Sequence, residues 1–121
     1  MPGTVPELMK ANIAVFDERD PERRRMLIAD TYAEDVIFTD PESAVTGRDA
    51  LNGKAQTLLD QAPGARFREN GPLQVSGNLG HLPWKFGLDG KAPLATGIDI
   101  AIVAEGCISD LHTLVDAPAT D

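Results

Sequence analysis

Seven consecutive residues, Gly97-Ile98-Asp99-Ile100-Ala101-Ile102-Val103, narrow what this chain can fold into more than any other stretch. β-Branched residues dominate it, and turn signals flank it at Asp89-Gly90 and Glu105-Gly106, which predicts a strand. Side chains alternate along a strand. Ile98, Ile100 and Ile102 therefore share one face, and Gly97, Asp99, Ala101 and Val103 share the other. Both faces are apolar but for one carboxyl group. An Asp in such a run is costly unless it is paired, hydrogen-bonded or protonated. Two readings fit. Asp99 is an edge-strand residue that faces solvent or bonds a neighbouring backbone group, or it is a functional acid in a cavity, with its pKa raised by burial.

The chain has 121 residues, the size of a single domain spanning 1–121 that can bury roughly two-thirds of its unfolded surface. Its net charge of −8 argues against nucleic acid or an anionic membrane as partner and leaves a neutral, apolar or cationic ligand. Cys107 is the single cysteine, which excludes an internal disulfide and a cysteine metal cluster. It reads as a small buried hydrophobe at the start of the last strand. No stretch is long and apolar enough to span a membrane and the N-terminus lacks a secretory h-region, so a cytoplasmic protein is expected. Met1 to Thr4 and Ala117 to Asp121 read as short loose tails.

Along the chain, Pro6 to Asp17 reads as a first helix with a stripe of Leu8, Met9, Asn12, Ile13 and Phe16. Asn12 is the odd residue in that stripe. It either sits at the margin, bonded to backbone, or points a donor into a cavity. Asp20 caps a second helix with Pro21 at its first position, running to about Ala33. Arg23, Arg24 and Arg25 read as a solvated face of it. Tyr32 reads as a core residue at its end, with a hydroxyl that reaches a partner. Asp35 to Asp40 is a short strand ended by Pro41, with Val36, Phe38 and Asp40 on one face. Thr46 is expected to cap a third helix that buries Leu51, Ala55, Leu58 and Leu59 and stops at Pro63-Gly64.

From Ala65 onward the pattern is all strand: 65–70, 73–76, 81–86, the Asp99 strand, and 107–115. Leu82, Trp84 and Phe86 share a face, as do Leu111, Thr113 and Val115; Asp110, His112 and Leu114 take the opposite face of the last strand. The order predicts an α+β fold: a cone-shaped, curved, mostly antiparallel sheet wrapped around three helices, a cystatin-like α+β roll. Such a cone encloses a natural small-molecule cavity.

The segment Tyr32-Ala33-Glu34-Asp35-Val36-Ile37-Phe38-Thr39-Asp40-Pro41, the helix opening Thr46-Gly47-Arg48-Asp49-Ala50-Leu51 and the pair Ile98-Asp99 resemble the ketosteroid isomerase and SnoaL-like group of the nuclear transport factor two superfamily. The resemblance implies Asp40 as catalytic base and Asp99 as a protonated donor to an enolate oxygen, the device that ketosteroid isomerase exemplifies. It further implies that Phe38, Leu82, Trp84, Phe86, Ala101, Leu111 and Thr113 line the cavity, joined by Phe16 and Leu58 from the helix stripes. The isomerase's oxyanion Tyr falls at Asn12, a weaker donor. That departure weighs against steroid isomerisation and leaves proton transfer. Limonene-type epoxide hydrolases carry an Arg two residues before the central Asp; this chain has Gly97 there. His81 and His112 fall on faces opposite the cavity, so neither a metal site nor a Ser-His-Asp triad is expected. No Gly-rich phosphate loop is present, and no cofactor is expected.

The expectation is an enzyme of general acid–base type, an isomerase, aldol-type cyclase or dehydratase. Asp40 would be its base, and Asp99 with Asn12 its oxyanion donors. The competing expectation is a non-catalytic module that binds an apolar small ligand or a partner protein. The Ile98, Ile100 and Ile102 face is too apolar to stay in water, which predicts a homodimer through the sheet with His112 near the contact.

Overall fold

The computed structural model describes residues 3–117. Three helices, α1 (Val5–Asp17), α2 (Pro21–Thr31) and α3 (Arg48–Gln61), cover the concave face of a curved, open sheet. The sheet has seven strands: β1 (Tyr32–Thr39), β2 (Ala44–Thr46), β3 (Arg66–Glu69), β4 (Gln74–Ser76), β5 (Leu79–Gly87), β6 (Ala95–Ala104) and β7 (Cys107–Val115). The order is β2-β1-β7-β6-β5-β3, with β4 also paired to β5. Every pairing is antiparallel except β1 with β7. The α+β class and the curved sheet around three helices stand as expected, with one parallel pair making the sheet mixed.

The inward set of side chains forms one core. Leu8, Met9, Val15 and Phe16 of α1 meet Leu82, Trp84 and Phe86 of β5 and Phe67 of β3; Leu51, Ala55 and Leu59 of α3 face Val36 and Phe38 of β1. Gly80 lets α1 lie directly on β5, because a Cβ there would come within 2.6 Å of Met9 Cγ and 2.9 Å of Val5 Cγ1. Two guanidinium forks close helix C-termini, where carbonyls lack partners. Arg48 donates to the Ala29 and Tyr32 carbonyls at the end of α2. Arg19 donates to the Leu59, Ala62 and Ala65 carbonyls at the end of α3.

Local expectations fail where a tertiary partner decides. Helix α2 stops at Thr31, and Tyr32 starts β1 rather than ending the helix. Thr46 belongs to β2, a strand the sequence pattern does not suggest; Gly47 takes the cap position of α3 and no side chain caps it. Arg24 is buried rather than solvated, because α3 and the α1–α2 turn supply acceptors for its guanidinium: Asn52 Oδ1 at 2.6 Å, the Glu18 carbonyl at 2.6 Å and Gln56 Oε1. Thr4 is no loose tail. Its hydroxyl accepts from the Glu7 N–H while Glu7 accepts from the Thr4 N–H, a reciprocal cap. Asp116 and Ala117 line the cavity described below, and the rest of the expected C-terminal tail lies outside the described residues. Cys107 is half-buried rather than enclosed. No helix among the described residues is long and apolar enough to cross a membrane.

Candidate active site

The cone encloses a cavity of about 800 Å³, within the range of small-molecule sites. Its apolar wall is aromatic. Phe38, Phe16, Phe67 and Trp84 follow one another at ring-centroid distances of 5.7, 5.9 and 5.6 Å, and Phe86 stacks on Phe67 at 4.4 Å. Leu58, one turn beyond the Lys54 position of α3, lines the wall across from them.

Asp99 lies on β6, which runs between β5 and β7, so the solvent-facing edge-strand reading is excluded. It is 6% exposed. Strand register places Thr113 directly opposite, and the Thr113 hydroxyl bonds Asp99 Oδ1 at 2.8 Å. From α1, Asn12 Nδ2 donates to Asp99 Oδ2 at 2.6 Å. The Tyr32 hydroxyl in turn donates to Asn12 Oδ1 at 2.5 Å. A chain of three polar groups thus crosses the apolar interior from β1 through α1 to β6. Each buried polar atom in it finds a partner, as low dielectric demands.

Burial pushes the Asp99 carboxyl up to about 6, while the donors Thr113 and Asn12 and the nearby Trp84 indole favour its charged form. The indole N–H approaches the carboxyl without reaching hydrogen-bonding geometry, and has no partner among the described residues. Burial is the larger influence, and the surrounding donors offset part of its cost. Burial together with the Asp99 charge holds the Tyr32 phenol well above its usual range, so Tyr32 stays a donor.

Asp40 occupies the other end. Pro41 ends β1, and Asp40 Oδ1 accepts from the Glu42 and Ser43 N–H groups at 2.9 and 3.0 Å, a tight side-chain turn. Asp40 Oδ2 stands 3.1 Å from Lys54 Nζ on α3. Partial burial alone would raise this carboxyl, but the Ser43 and Glu42 N–H groups and the Lys54 ammonium outweigh it and hold it below the usual carboxylate range. The two acids therefore titrate apart, with Asp99 the higher. The cause is burial at one end and donors at the other. Mutual repulsion contributes little, since Lys54 matches the Asp40 charge.

Asn12, Phe16, Phe38, Asp40, Leu58, Trp84, Phe86, Asp99 and Thr113 all line the one cavity. Leu82, Ala101 and Leu111 do not. They are fully buried below it, beneath helix α1 and the polar chain, and serve as core. His81 and His112 lie on the convex face, away from the cavity. Sequence reasoning missed Lys54, Thr57, Gln61 and Phe67. The first three lie at helical spacing along one face of α3, beside the buried stripe, and Phe67 alternates with Arg66 and Arg68 on β3. Among the described residues no group of His, Cys, Asp and Glu is arranged to hold a metal ion.

Gly97 has a definite task. A Cβ there would meet Trp84 Cζ2 at 2.4 Å and the Leu114 carbonyl at 2.0 Å. The indole therefore occupies the space that a side chain two residues before Asp99 would fill, and an epoxide-hydrolase Arg has no room.

No protein-family sequence model and no curated protein sequence matches the chain. Solved structures do. A candidate isomerase of the SnoaL-like family from Agrobacterium tumefaciens is 25% identical, with a TM-score of 0.85 over 92% of this chain and 96% of that one. A candidate ketosteroid isomerase from Kribbella flavida is 18% identical, with a TM-score of 0.74 over 97% and 81%. A candidate SnoaL-like polyketide cyclase from a Jannaschia species is 14% identical, with a TM-score of 0.72 over 92% and 86%. The chain thus shares the fold of SnoaL-like, ketosteroid isomerase-like and polyketide cyclase-like structures, the group its sequence resembles.

Proposed function

We propose that the chain is a small-molecule enzyme that moves a proton next to a carbonyl group, an isomerase, aldol-type cyclase or dehydratase in type. One observation carries this reading: a single apolar cavity holds two carboxyls whose surroundings push their pKa values apart. Separated pairs of this kind divide the roles of acid and base. Asp40, ionised, takes the proton from the carbon beside the carbonyl. Negative charge then grows on the carbonyl oxygen. Asp99 in its protonated form donates to that oxygen, and the Asn12 Nδ2 hydrogen not given to Asp99 supports it. The proton on Asp40 returns at another carbon or leaves with the product. A positioned base is worth about 10²–10⁴-fold.

The pH dependence follows from the two groups. Asp99 loses its proton as pH rises through about 6, so kcat/KM falls on the alkaline side of that value. It falls again at acid pH where Asp40 gains a proton. The test is solvent deuterium uptake by NMR across a panel of cyclic and linear ketones, with wild type and Asp40→Asn compared. Uptake that depends on Asp40 supports the enzyme. Uptake equal in both proteins overturns it.

A second reading, a non-catalytic module for an apolar ligand, draws on one observation. Both oxygens of Asp40 are engaged, by two backbone N–H groups and an ammonium, which makes it a weak base. Ligand-induced thermal stabilisation without deuterium uptake by any ketone would favour this module.

The partner proposed is a second copy of the chain. Ile98, Ile100 and Ile102 are only half-covered on the convex face, and Leu114 beside them is 51% exposed. Light scattering at micromolar concentration tests it. A dimer that Ile100→Lys splits is expected, and a wild-type monomer overturns the assignment.

A further inference from the structure

The cavity is polar at two ends and aromatic between them. Asp99, Asn12 and Thr113 form the deep end; Asp40, Lys54, Thr57 and Gln61 form the mouth. Lys54 is the only cation among the described lining residues, while Asp40, Glu42, Asp99 and Asp116 all bring carboxyls. A site with that excess of negative charge disfavours an anion. Yet Lys54 is turned inward. Its ammonium meets Asp40 at 3.1 Å with its side chain 27% exposed. An ammonium carries three N–H donors. Asp40 engages one, which leaves two for a ligand in the cavity that Lys54 lines together with Thr57 and Gln61, three and seven residues further along α3.

We propose that Lys54 determines specificity: the ligand is a neutral, ring-based molecule with an oxygen function at each end, one met at Asp99 and the other by the Lys54 ammonium. This rests on the reading above that places one ligand oxygen at Asp99. The aromatic wall takes the apolar body, and the two polar ends fix its direction. Lys54 keeps Asp40 ionised and, in the same place, holds the ligand's outer oxygen next to that carboxylate. A monofunctional ligand lacks the second anchor and turns in the cavity.

The experiment titrates naphthalene-2,6-diol, 2-naphthol and 6-hydroxy-2-naphthoate into the protein at pH 7.5. The signal is the indole N–H resonance of Trp84, the chain's single tryptophan, which lines the cavity. In the wild type the diol binds about tenfold tighter than 2-naphthol, the size of one hydrogen bond to a charged group. The naphthoate binds less tightly than the diol. Lys54→Met brings the diol down to the 2-naphthol value and leaves 2-naphthol unchanged. Lys54→Met with Asp40→Asn behaves the same way, which removes a freed Asp40 carboxylate as the cause. A diol preference that survives Lys54→Met overturns the proposal, as does a naphthoate that binds wild type as tightly as the diol. Asp99→Asn weakens all three ligands. If Asp99→Asn leaves 2-naphthol affinity unchanged while Lys54→Met still weakens the diol, the Asp99 reading fails and takes the two-ended ligand with it. Absence of binding by all three compounds overturns both.

Discussion

At the deep end of the cavity a carboxyl sits almost wholly buried, between an amide, a hydroxyl and an indole. At the mouth an identical carboxyl is fixed by two backbone N–H groups and an ammonium. Burial dominates the first and raises it to about 6; donors dominate the second and lower it. The difference arises from where each Asp falls in its strand. Asp99 is in the middle of a strand with neighbours on both sides, so every group that reaches it comes from another element. Asp40 stands where Pro41 stops the strand, so the backbone of the following turn reaches it directly. An interior acid is tuned by tertiary partners, whereas a strand-end acid is tuned largely by its own loop.

The largest effect expected separates the two acids by activity. Asp40→Asn keeps the turn, since an amide oxygen still accepts from the Glu42 and Ser43 N–H groups, but removes the base. The loss of deuterium uptake should be about 10²–10⁴-fold. Asp99→Asn retains an N–H donor toward the ligand oxygen and should keep part of the rate, with the fall in activity above pH 6 abolished. Equal losses in the two variants would erase the division of roles.

The next effect is on stability. A carboxyl raised in the folded state binds more protons there than in the unfolded chain, so stability falls as pH climbs from about 4 to 6 and stays lowered above. The Asp99 shift from 3.8 to about 6 corresponds to up to about 3 kcal/mol. Asp99→Asn escapes that cost. It should be more stable than wild type to urea at pH 7 by up to this amount, and should show no gain at pH 4. A gain of the same size at both pH values would place its origin elsewhere.

The sequence displays the two acids but not the groups that tune them. Alternation along residues 97–103 puts Asp99 on the apolar inner face, and the same rule turns Leu82, Trp84 and Phe86 inward. Asn12 stands out in its helix stripe because it is polar. That it meets Asp99, 87 positions away, depends on how α1 crosses the sheet, and no local pattern records this. Lys54 looks like one more surface lysine until α3 packs against β1. Arg24 looks solvated until α3 brings Asn52 and Gln56 to it. Strand β7 shows a different limit. The register steps from Ile102 opposite Asp110 to Val103 opposite Ile108, and this bulge turns Ile108 inward against strict alternation. Periodicity reads faces well, but docking and bulges decide which faces meet.

The smallest effect expected lies one step behind the deep acid. Tyr32 never touches the cavity, yet its hydroxyl donates to Asn12 Oδ1 and so orients the amide with Nδ2 toward Asp99. Tyr32→Phe removes that donor and leaves Asn12 Oδ1 buried without a partner, a cost of about 1–2 kcal/mol. The amide is then free to turn over. With its oxygen toward Asp99 it accepts from the protonated carboxyl instead of donating to the charged one, which favours the neutral acid. The Asp99 carboxyl should therefore titrate higher in Tyr32→Phe, read from its carboxyl carbon resonance, while Asp40 titrates as in wild type. A uniform loosening of the fold would move both carboxyls toward the ordinary value. A rise confined to Asp99 is the signature of the amide turning, and an Asp99 titration unchanged from wild type would show that packing alone holds Asn12 in place.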